Sequence, residues 1–277
     1  MTILQAAILG LIQGLTEFLP VSSSGHLVLA EHLLGVPPSN DITFEVFVHF
    51  GTFLSVVVVF RNDILAMFRT FFQAFVPFRL NKEYYQTHEH FRLAISILVG
   101  SIPAAYVGIR YEDSISQAFA DPKLVAVMLV VTGMILFLTG MAKPVEGKKV
   151  GLRSALVIGI AQAAAIIPGI SRSGSTISTA LYLNVQPYYA ARFSFLLSLP
   201  VIAGATLLKT KDLLAHGGAS EGVLALIIGT VVSFCSGYFA IKVLLRIIER
   251  GKIRWFSLYC LVVGVLGILF IESLPQQ

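Results

Sequence analysis

The sequence predicts an all-α polytopic membrane protein with six transmembrane helices and two re-entrant helical hairpins arranged as an inverted-topology repeat. Three observations predict it. Charged residues make up 13% of the 277 positions and hydrophobic residues 56%, whereas a soluble domain carries about 25% charged residues. Six apolar runs are long enough to cross a bilayer core, which takes about 20 residues. Two further apolar stretches are each interrupted by proline, serine and glycine, leaving halves too short to cross.

In chain order, the first broken stretch covers 3–35, with its interruption at Pro20 and Ser22-Ser23-Ser24-Gly25. It does not read as a cleaved signal: Met1-Thr2-Ile3-Leu4-Gln5 has no basic residue, and Glu17 interrupts the apolar run. The whole chain, 1–277, is therefore read as one mature membrane domain. Spans are expected near 42–60, 92–110 and 123–141. The second broken stretch is 152–184, interrupted by Pro168-Gly169 and Ser171-Arg172-Ser173-Gly174. Spans near 187–208, 222–246 and 255–271 complete the set. Loop 61–92, with Phe71-Phe72, Phe75 and Phe78, reads as an amphipathic piece on the membrane surface. Cys235 and Cys260 lie inside apolar runs and read as inert thiols, fitting neither a disulfide framework nor a metal cluster.

The two broken stretches match each other. Displaced by 149 positions, Gly10 meets Gly159, Gln13 meets Gln162, Ser22 meets Ser171, Ser24 meets Ser173 and Gly25 meets Gly174. Beyond the first loop the match resumes at a displacement of 132, where Ser101 meets Ser233 and Tyr106 meets Tyr238. One length difference in the loop accounts for the change, so the chain reads as a duplication of roughly 1–142 and 150–272. Three spans per half is an odd number, so the second half must be inverted. Loop charge agrees. Lys and Arg number five in 61–92, four in 143–153 and five in 242–254, while 111–122 has acids only. The basic loops are placed inside and both termini outside. Lys209 and Lys211 mildly oppose this. The net charge of +5 follows from these loops, and nucleic acid is not an expected partner.

Polar residues gather at the two breaks. Paired interrupted segments point to a site near the midplane, and an ionisable group in a span is functional by default. Serines are good N-cap residues, and a helix N-terminus offers unpaired N–H groups and partial positive charge to a phosphate. Ser22, Ser24, Gly25, Ser171, Ser173, Gly174 and Thr176 are expected to hold phosphate. Arg172 adds a planar fork for its oxygens. The duplication fails where chemistry would need it to. Glu17 stands opposite Ile166, Ser23 opposite Arg172, and His26 opposite Ser175. One half thus supplies base, acid and nucleophile candidates in Glu17, His26 and Ser23, and the other supplies the anion clamp. Gln13, four before Glu17 on one helical face, supports Glu17 or substrate. Glu45 and His49, also four apart on a span, read as a structural hydrogen bond, with a place on the cavity wall as the alternative. Gly14, Pro20, Pro168 and Gly169 read as geometry.

The run Gln13-Gly14-Leu15-Thr16-Glu17-Phe18-Leu19-Pro20-Val21-Ser22-Ser23-Ser24-Gly25-His26 resembles the first signature of the bacterial undecaprenyl-diphosphate phosphatases of the bacitracin-resistance type. Pro168-Gly169-Ile170-Ser171-Arg172-Ser173-Gly174-Ser175-Thr176 resembles their second. The resemblance spans the chain. It implies removal of the terminal phosphate of undecaprenyl diphosphate at the outer face of the bacterial plasma membrane. It also implies recycling of the lipid carrier for cell-wall synthesis, and bacitracin resistance. The family's serine, histidine and arginine fall on Ser23, His26 and Arg172, and its obligatory glutamate on Glu17. Gln13 stands where the family often has glutamate. A divalent cation, Mg2+ or Ca2+, is implied; Glu17 is read either as its ligand, with phosphate or water completing the site, or as the base. The expected partners are the isoprenoid diphosphate and membrane lipids, with a homodimer left open. The nucleophile is also open among His26, Ser23 and water. The rival reading is an inverted-repeat transporter or flippase of the same carrier, which would need the charge but not a nucleophile beside a base.

Overall fold

A computed structural model describes residues 1–36, 43–75, 82–119, 121–216 and 222–273. The described residues form helices and connecting turns, with no strand among them. The helices are α1 (Ile3–Phe18), α2 (Ser23–Leu33), α3 (Thr43–Val59), α4 (Arg61–Phe75), α5 (Lys82–Thr87), α6 (Glu89–Arg110) and α7 (Glu112–Phe119). They continue with α8 (Pro122–Leu138), α9 (Leu152–Ala164), α10 (Arg172–Tyr182), α11 (Pro187–His216), α12 (Val223–Glu249) and α13 (Trp255–Ser273).

Among the described residues, five helical segments are long and apolar enough to cross a membrane: 89–110, 122–141, 187–208, 223–249 and 252–271. They coincide with five of the six expected spans. The sixth, α3, is shorter, and it qualifies only when taken with α4, from which it is bent by 77°. Past the bend, α4 packs against α6. One face of α4 packs Ile64, Met67 and Ala74 inward, while Leu65, Phe68 and Phe72 are exposed. That two-sided pattern fits the amphipathic piece expected here. Phe78 and the side chain of Phe75 lie outside the described residues.

Both interrupted stretches are helix–turn–helix hairpins, α1–α2 and α9–α10, whose first members are shorter apolar helices. Each breaks where the sequence changes character. Ser22 accepts a hydrogen bond from Gly25 N through its side chain (3.2 Å) and starts α2. Ser171 does the same for Gly174 N (3.0 Å) and starts α10. Each capping hydroxyl satisfies a donor that the first helical turn leaves unpaired.

Small residues allow the helices to cross closely. A methyl group on Gly10 of α1 would lie 2.4 Å from the carbonyl oxygen of Gly229 in α12. One on Gly159 of α9 would lie 2.2 Å from the carbonyl oxygen of Gly100 in α6. Thus α1 lies along α12, and α9 along α6. Hydroxyls bond across the remaining seams: Ser233 Oγ donates to Val48 O and Ser55 Oγ to Phe234 O, each at 2.7 Å, joining α3 to α12. Close backbone approach and side-chain hydrogen bonds are what hold helices together where the surrounding solvent is itself apolar. The core between them contains Phe18, Phe193, Phe195 and Leu196, all essentially inaccessible.

A second ionic cluster sits at the junction of α4, α6 and α11. Arg192 donates to Asp63 (2.5 Å) and Glu89 (3.2 Å), Lys149 pairs with Glu89 (2.5 Å), and His90 Nε2 lies 3.4 Å from Asp63. Of these residues only Lys149 belongs to the basic loop charges counted from the sequence, and Arg192 falls inside the span expected near 187–208.

Candidate functional site

The two hairpin turns meet at one point. The end of α1 brings Glu17, the start of α2 brings Ser23, and the start of α10 brings Arg172. Ser23 and Arg172 occupy matching places in the two hairpins, each the first residue of its second helix, and both reach the same carboxylate. Ser23 Oγ donates to Glu17 Oε2 at 2.5 Å. Arg172 Nη2 donates to Glu17 Oε1 at 2.5 Å. Gln13 Nε2 donates to Oε2 at 2.9 Å from one turn back along α1. Glu17 is buried, and the clustering of donors compensates a charge that would otherwise be costly in an apolar setting. Arg172 Nη1 donates onward to the carbonyl of Ser194 in α11 at 3.2 Å, which fixes the plane of the guanidinium.

The turns touch one another directly. Gly169 N donates to Ser24 Oγ (3.4 Å), and Ser173 Oγ donates to Leu19 O (3.1 Å). Thr132 of α8 clamps the second turn, donating to Gly169 O and accepting from Ser171 N, both at 2.9 Å. Gly169 is at φ +91° with Val125 O close against it, so no side chain fits there. Its reading as a geometric residue is explained by that contact.

A cavity of about 270 Å³ opens beside these groups. Its polar wall carries Glu17, Ser22, Ser23, Ser24, Ser171 and Arg172. The rest is largely apolar, with Ile166 and Ile170 from the second hairpin, Val201, Ile202 and Ala205 from α11, and Ile115 and Phe119 from α7. An apolar wall with a few convergent polar groups is the usual form of a small-molecule site.

Several expected phosphate ligands do not reach this cavity. The amides of Gly25 and Gly174 are taken by the capping serines. Ser173 is directed to Leu19 O. Thr176 donates to Arg172 O (2.8 Å) and shares a hydrogen bond with Ser194 Oγ (2.6 Å), fully buried. These four support the hairpins and do not line the cavity.

His26 is also turned away from it. Its Nδ1 lies 2.8 Å from Ser22 O, a carbonyl that can only accept, so Nδ1 carries the proton. Its Nε2 lies 2.8 Å from the hydroxyl of Tyr259, and the two rings stack at 5.6 Å. The place beside Glu17 is taken instead by His49 of α3, whose Nε2 is 3.4 Å from Glu17 Oε2 and whose Nδ1 is held 2.6 Å from Glu45 O. His49 and Glu45 both line the cavity, and the structural hydrogen bond is present as well: it runs from His49 Nδ1 to the backbone of Glu45 and leaves the far ring nitrogen facing the site. Their presence in a span was the available signal. Nothing local connected them to Glu17.

The residues present do not fit a resident divalent cation on Glu17. Both of its oxygens already accept hydrogen bonds, and Arg172 occupies the side a cation would take. Among the described residues no three His, Cys, Asp or Glu side chains converge on one point.

A family model described as bacitracin resistance protein BacA matches residues 6–266. A protein of Salinibacter ruber named undecaprenyl-diphosphatase is 45% identical, the match covering 97% of this chain and 99% of the relative. One of the same name from Halothermothrix orenii is 45% identical over 97% and 98%. Another from Methanobrevibacter smithii is 38% identical over 100% and 99%.

Proposed function

The chain belongs to the bacitracin resistance protein BacA family, and from that premise we propose that it is a multi-pass membrane hydrolase that removes the terminal phosphate of undecaprenyl diphosphate. This returns the lipid carrier to cell-wall synthesis and opposes bacitracin. One observation carries the chemistry: a serine hydroxyl hydrogen-bonded at 2.5 Å to a carboxylate whose other oxygen is held by an arginine. A nucleophile within reach of a base that a third group orients is the pattern of covalent catalysis.

The isoprenoid chain follows the apolar wall, and the diphosphate lies against the two turns. Glu17 takes the proton of Ser23, and Ser23 Oγ attacks the terminal phosphorus. The new Ser–O–P bond forms as the bridging P–O bond breaks, and undecaprenyl phosphate leaves. Water then attacks the phosphoserine and releases inorganic phosphate. Arg172, with the hydroxyls of Ser22, Ser24 and Ser171, stabilises charge that spreads over the equatorial oxygens in the transition state. A divalent cation, where one takes part, enters as the counter-ion of the diphosphate, because the protein donors are already engaged.

A flippase needs the anion clamp but gains nothing from a serine bonded to Glu17. Phosphate release from a long-chain isoprenoid diphosphate by purified protein in detergent tests the reading, with Ser23→Ala and Arg172→Ala alongside. The expected result for acid-quenched wild type is phosphate on Ser23 by mass spectrometry. Full release by Ser23→Ala would remove the serine route, and no release by folded wild type would sink the hydrolase.

The same proposal covers architecture and orientation. The halves form an inverted pair with six spans and two re-entrant hairpins. In support, α1 lies along α12 as α9 lies along α6, and α3–α11 and α8–α13 pair with their own counterparts. The exchange of Gly10–Gly229 for Gly159–Gly100 sets Gly100 opposite Gly229. That is three positions, or about one helical turn, from the register of the sequence match. The cavity reaches Glu45 at the start of α3, α7 and Thr206 late in α11, whereas the Arg192 cluster lies near the opposite ends of α3 and α11. With basic loops inside, the active site opens to the periplasmic side of the inner membrane.

A further inference from the structure

His26 and Tyr259 touch neither the cavity nor Glu17, yet they hold the residue that precedes Ser23. Ser22 adopts φ +66°, ψ 96°, a left-handed conformation that strains any residue with a side chain. Its counterpart Ser171 is at φ −70°, so the second hairpin makes the same turn without strain. A strained residue persists only where its surroundings over-determine it. Around Ser22 they do. Its carbonyl oxygen accepts from His26 Nδ1 at 2.8 Å as well as from His26 N at 3.2 Å. Its hydroxyl accepts from Gly25 N and shares a hydrogen bond with Ser24 Oγ at 3.2 Å.

The His26 ring is in turn fixed from outside the hairpin. Tyr259 of α13 donates its hydroxyl to Nε2 at 2.8 Å and stacks within 5° of parallel. One residue on, Cys260 Sγ lies 3.6 Å from Pro20 O in the same turn. The second hairpin is held differently. There Thr132 of α8 bonds both Gly169 O and Ser171 N directly. Gly133 of α8 packs on Leu261, and Gly264 of α13 packs on Val130. That exchange sets Val263 where α8 has Thr132, and a valine has no hydroxyl to clamp the first turn. The first turn is instead gripped through His26.

We propose that Tyr259 and His26 form a latch that holds Ser22 in its left-handed conformation and so aims Ser23 Oγ at Glu17. Both are positioning residues, and neither handles substrate. The latch rests on the phosphatase reading only for the consequence of losing it. Its own readout is the reactivity of the Ser23 hydroxyl.

The experiment measures labelling of Ser23 by a fluorophosphonate probe, read by mass spectrometry, with phosphate release followed in parallel on the full-length protein in detergent. Tyr259→Phe keeps the stacked ring and removes one hydrogen bond, so labelling and kcat fall by about fivefold to tenfold, the worth of one such bond. His26→Ala releases Ser22, and both fall by about a hundredfold, as a misplaced reacting group does, while KM changes little. His26→Asn restores an N–H to Ser22 O and recovers most of the loss. In the His26→Asn background Tyr259→Phe adds nothing, because its effect runs through the ring nitrogen. An Asn variant as poor as the Ala variant, an unaffected Tyr259→Phe, or a wild-type Ser23 that takes no label would each overturn the latch. Normal labelling with no phosphate release would leave the latch standing and remove the phosphatase reading instead.

Discussion

Arg172 Nη2 lies 2.5 Å from Glu17 Oε1, and this pair joins the second hairpin to the first across 155 positions of sequence. Arg172 has 17% of its side chain exposed and Glu17 has 6%, so the pair is largely out of water. Breaking one partner of a buried pair costs about 3–5 kcal/mol because it strands the other charge. Arg172→Ala should therefore lower the unfolding temperature in detergent as well as phosphate release. The loss of release is about 100-fold to 1,000-fold, the usual effect of removing a donor to transition-state charge. The double variant Glu17→Gln, Arg172→Met leaves no stranded charge. It should regain thermal stability while remaining inactive, and a double variant as unstable as Arg172→Ala would show that the pair does not bear the structural load assigned to it.

His49 should matter although no motif contains it. Its Nδ1 is tied to Glu45 O and its Nε2 faces Glu17 Oε2 at 3.4 Å, on the cavity wall. His49→Asn keeps a donor toward Glu45 O and removes the far nitrogen. Its kcat should fall by about 100-fold if the ring takes part in proton movement around Glu17, with the unfolding temperature unchanged. A kcat within twofold of wild type would reduce His49 to a lining residue.

Close backbone crossings predict where a single methyl group is intolerable. Gly10→Ala and Gly159→Ala each place a carbon well inside contact distance of a facing carbonyl oxygen, whereas Gly108 has nothing within 4 Å of the same position. Overpacking of this kind costs about 1–3 kcal/mol or more. Gly108→Ala, within α6, should be neutral or stabilise by up to about 1 kcal/mol. Thermal unfolding in detergent separates the two classes, and Gly10→Ala behaving like Gly108→Ala would contradict the α1–α12 crossing.

How much of this could be read beforehand follows from which relations are local. Gln13 and Glu17 share a helical face, and Ser23 follows Glu17 by six positions across the break at Pro20, so their meeting was implied by spacing and by that break. Arg172 came with them because the duplication pairs its position with Ser23. His26 was read into the site because it stands beside these residues in sequence. Its ring is held by Ser22 O, four residues back, and by Tyr259 of α13, 233 positions away, and no local rule carries the second contact. His49 is the converse: it is remote in sequence and next to Glu17 in space. Thr176 and Ser173 look like phosphate ligands by type, but their hydroxyls are used by helix and turn carbonyls, a competition that short polar side chains enter readily. The end of α3 was legible, because Arg61-Asn62-Asp63 punctuates the apolar run at the limit of the expected span 42–60; the 77° angle of the bend was not.

The cluster at the far end of the bundle offers a test in which exposure decides the ranking. Arg192 is 8% exposed and bonds both Asp63 and Glu89, tying α11 to α4 and α6. Lys149 pairs with the same Glu89, but the two side chains are 33% and 37% exposed. Exposed pairs contribute about 0–1 kcal/mol; Arg192 is itself buried but its partners are 22% and 37% exposed, so its loss costs more than that and less than the about 3–5 kcal/mol of a fully buried pair. Lys149→Ala should leave the unfolding temperature nearly unchanged, and Arg192→Ala should lower it markedly. Adding Asp63→Asn to Arg192→Ala removes the carboxylate that has lost its arginine, Glu89 keeping Lys149, and should return part of the loss. All of these variants leave the cavity wall intact, so in the fraction that folds the KM for lipid diphosphate stays at the wild-type value. A Lys149→Ala penalty equal to that of Arg192→Ala would mean that the cluster acts as one network, and that burial of the arginine is not what sets its worth.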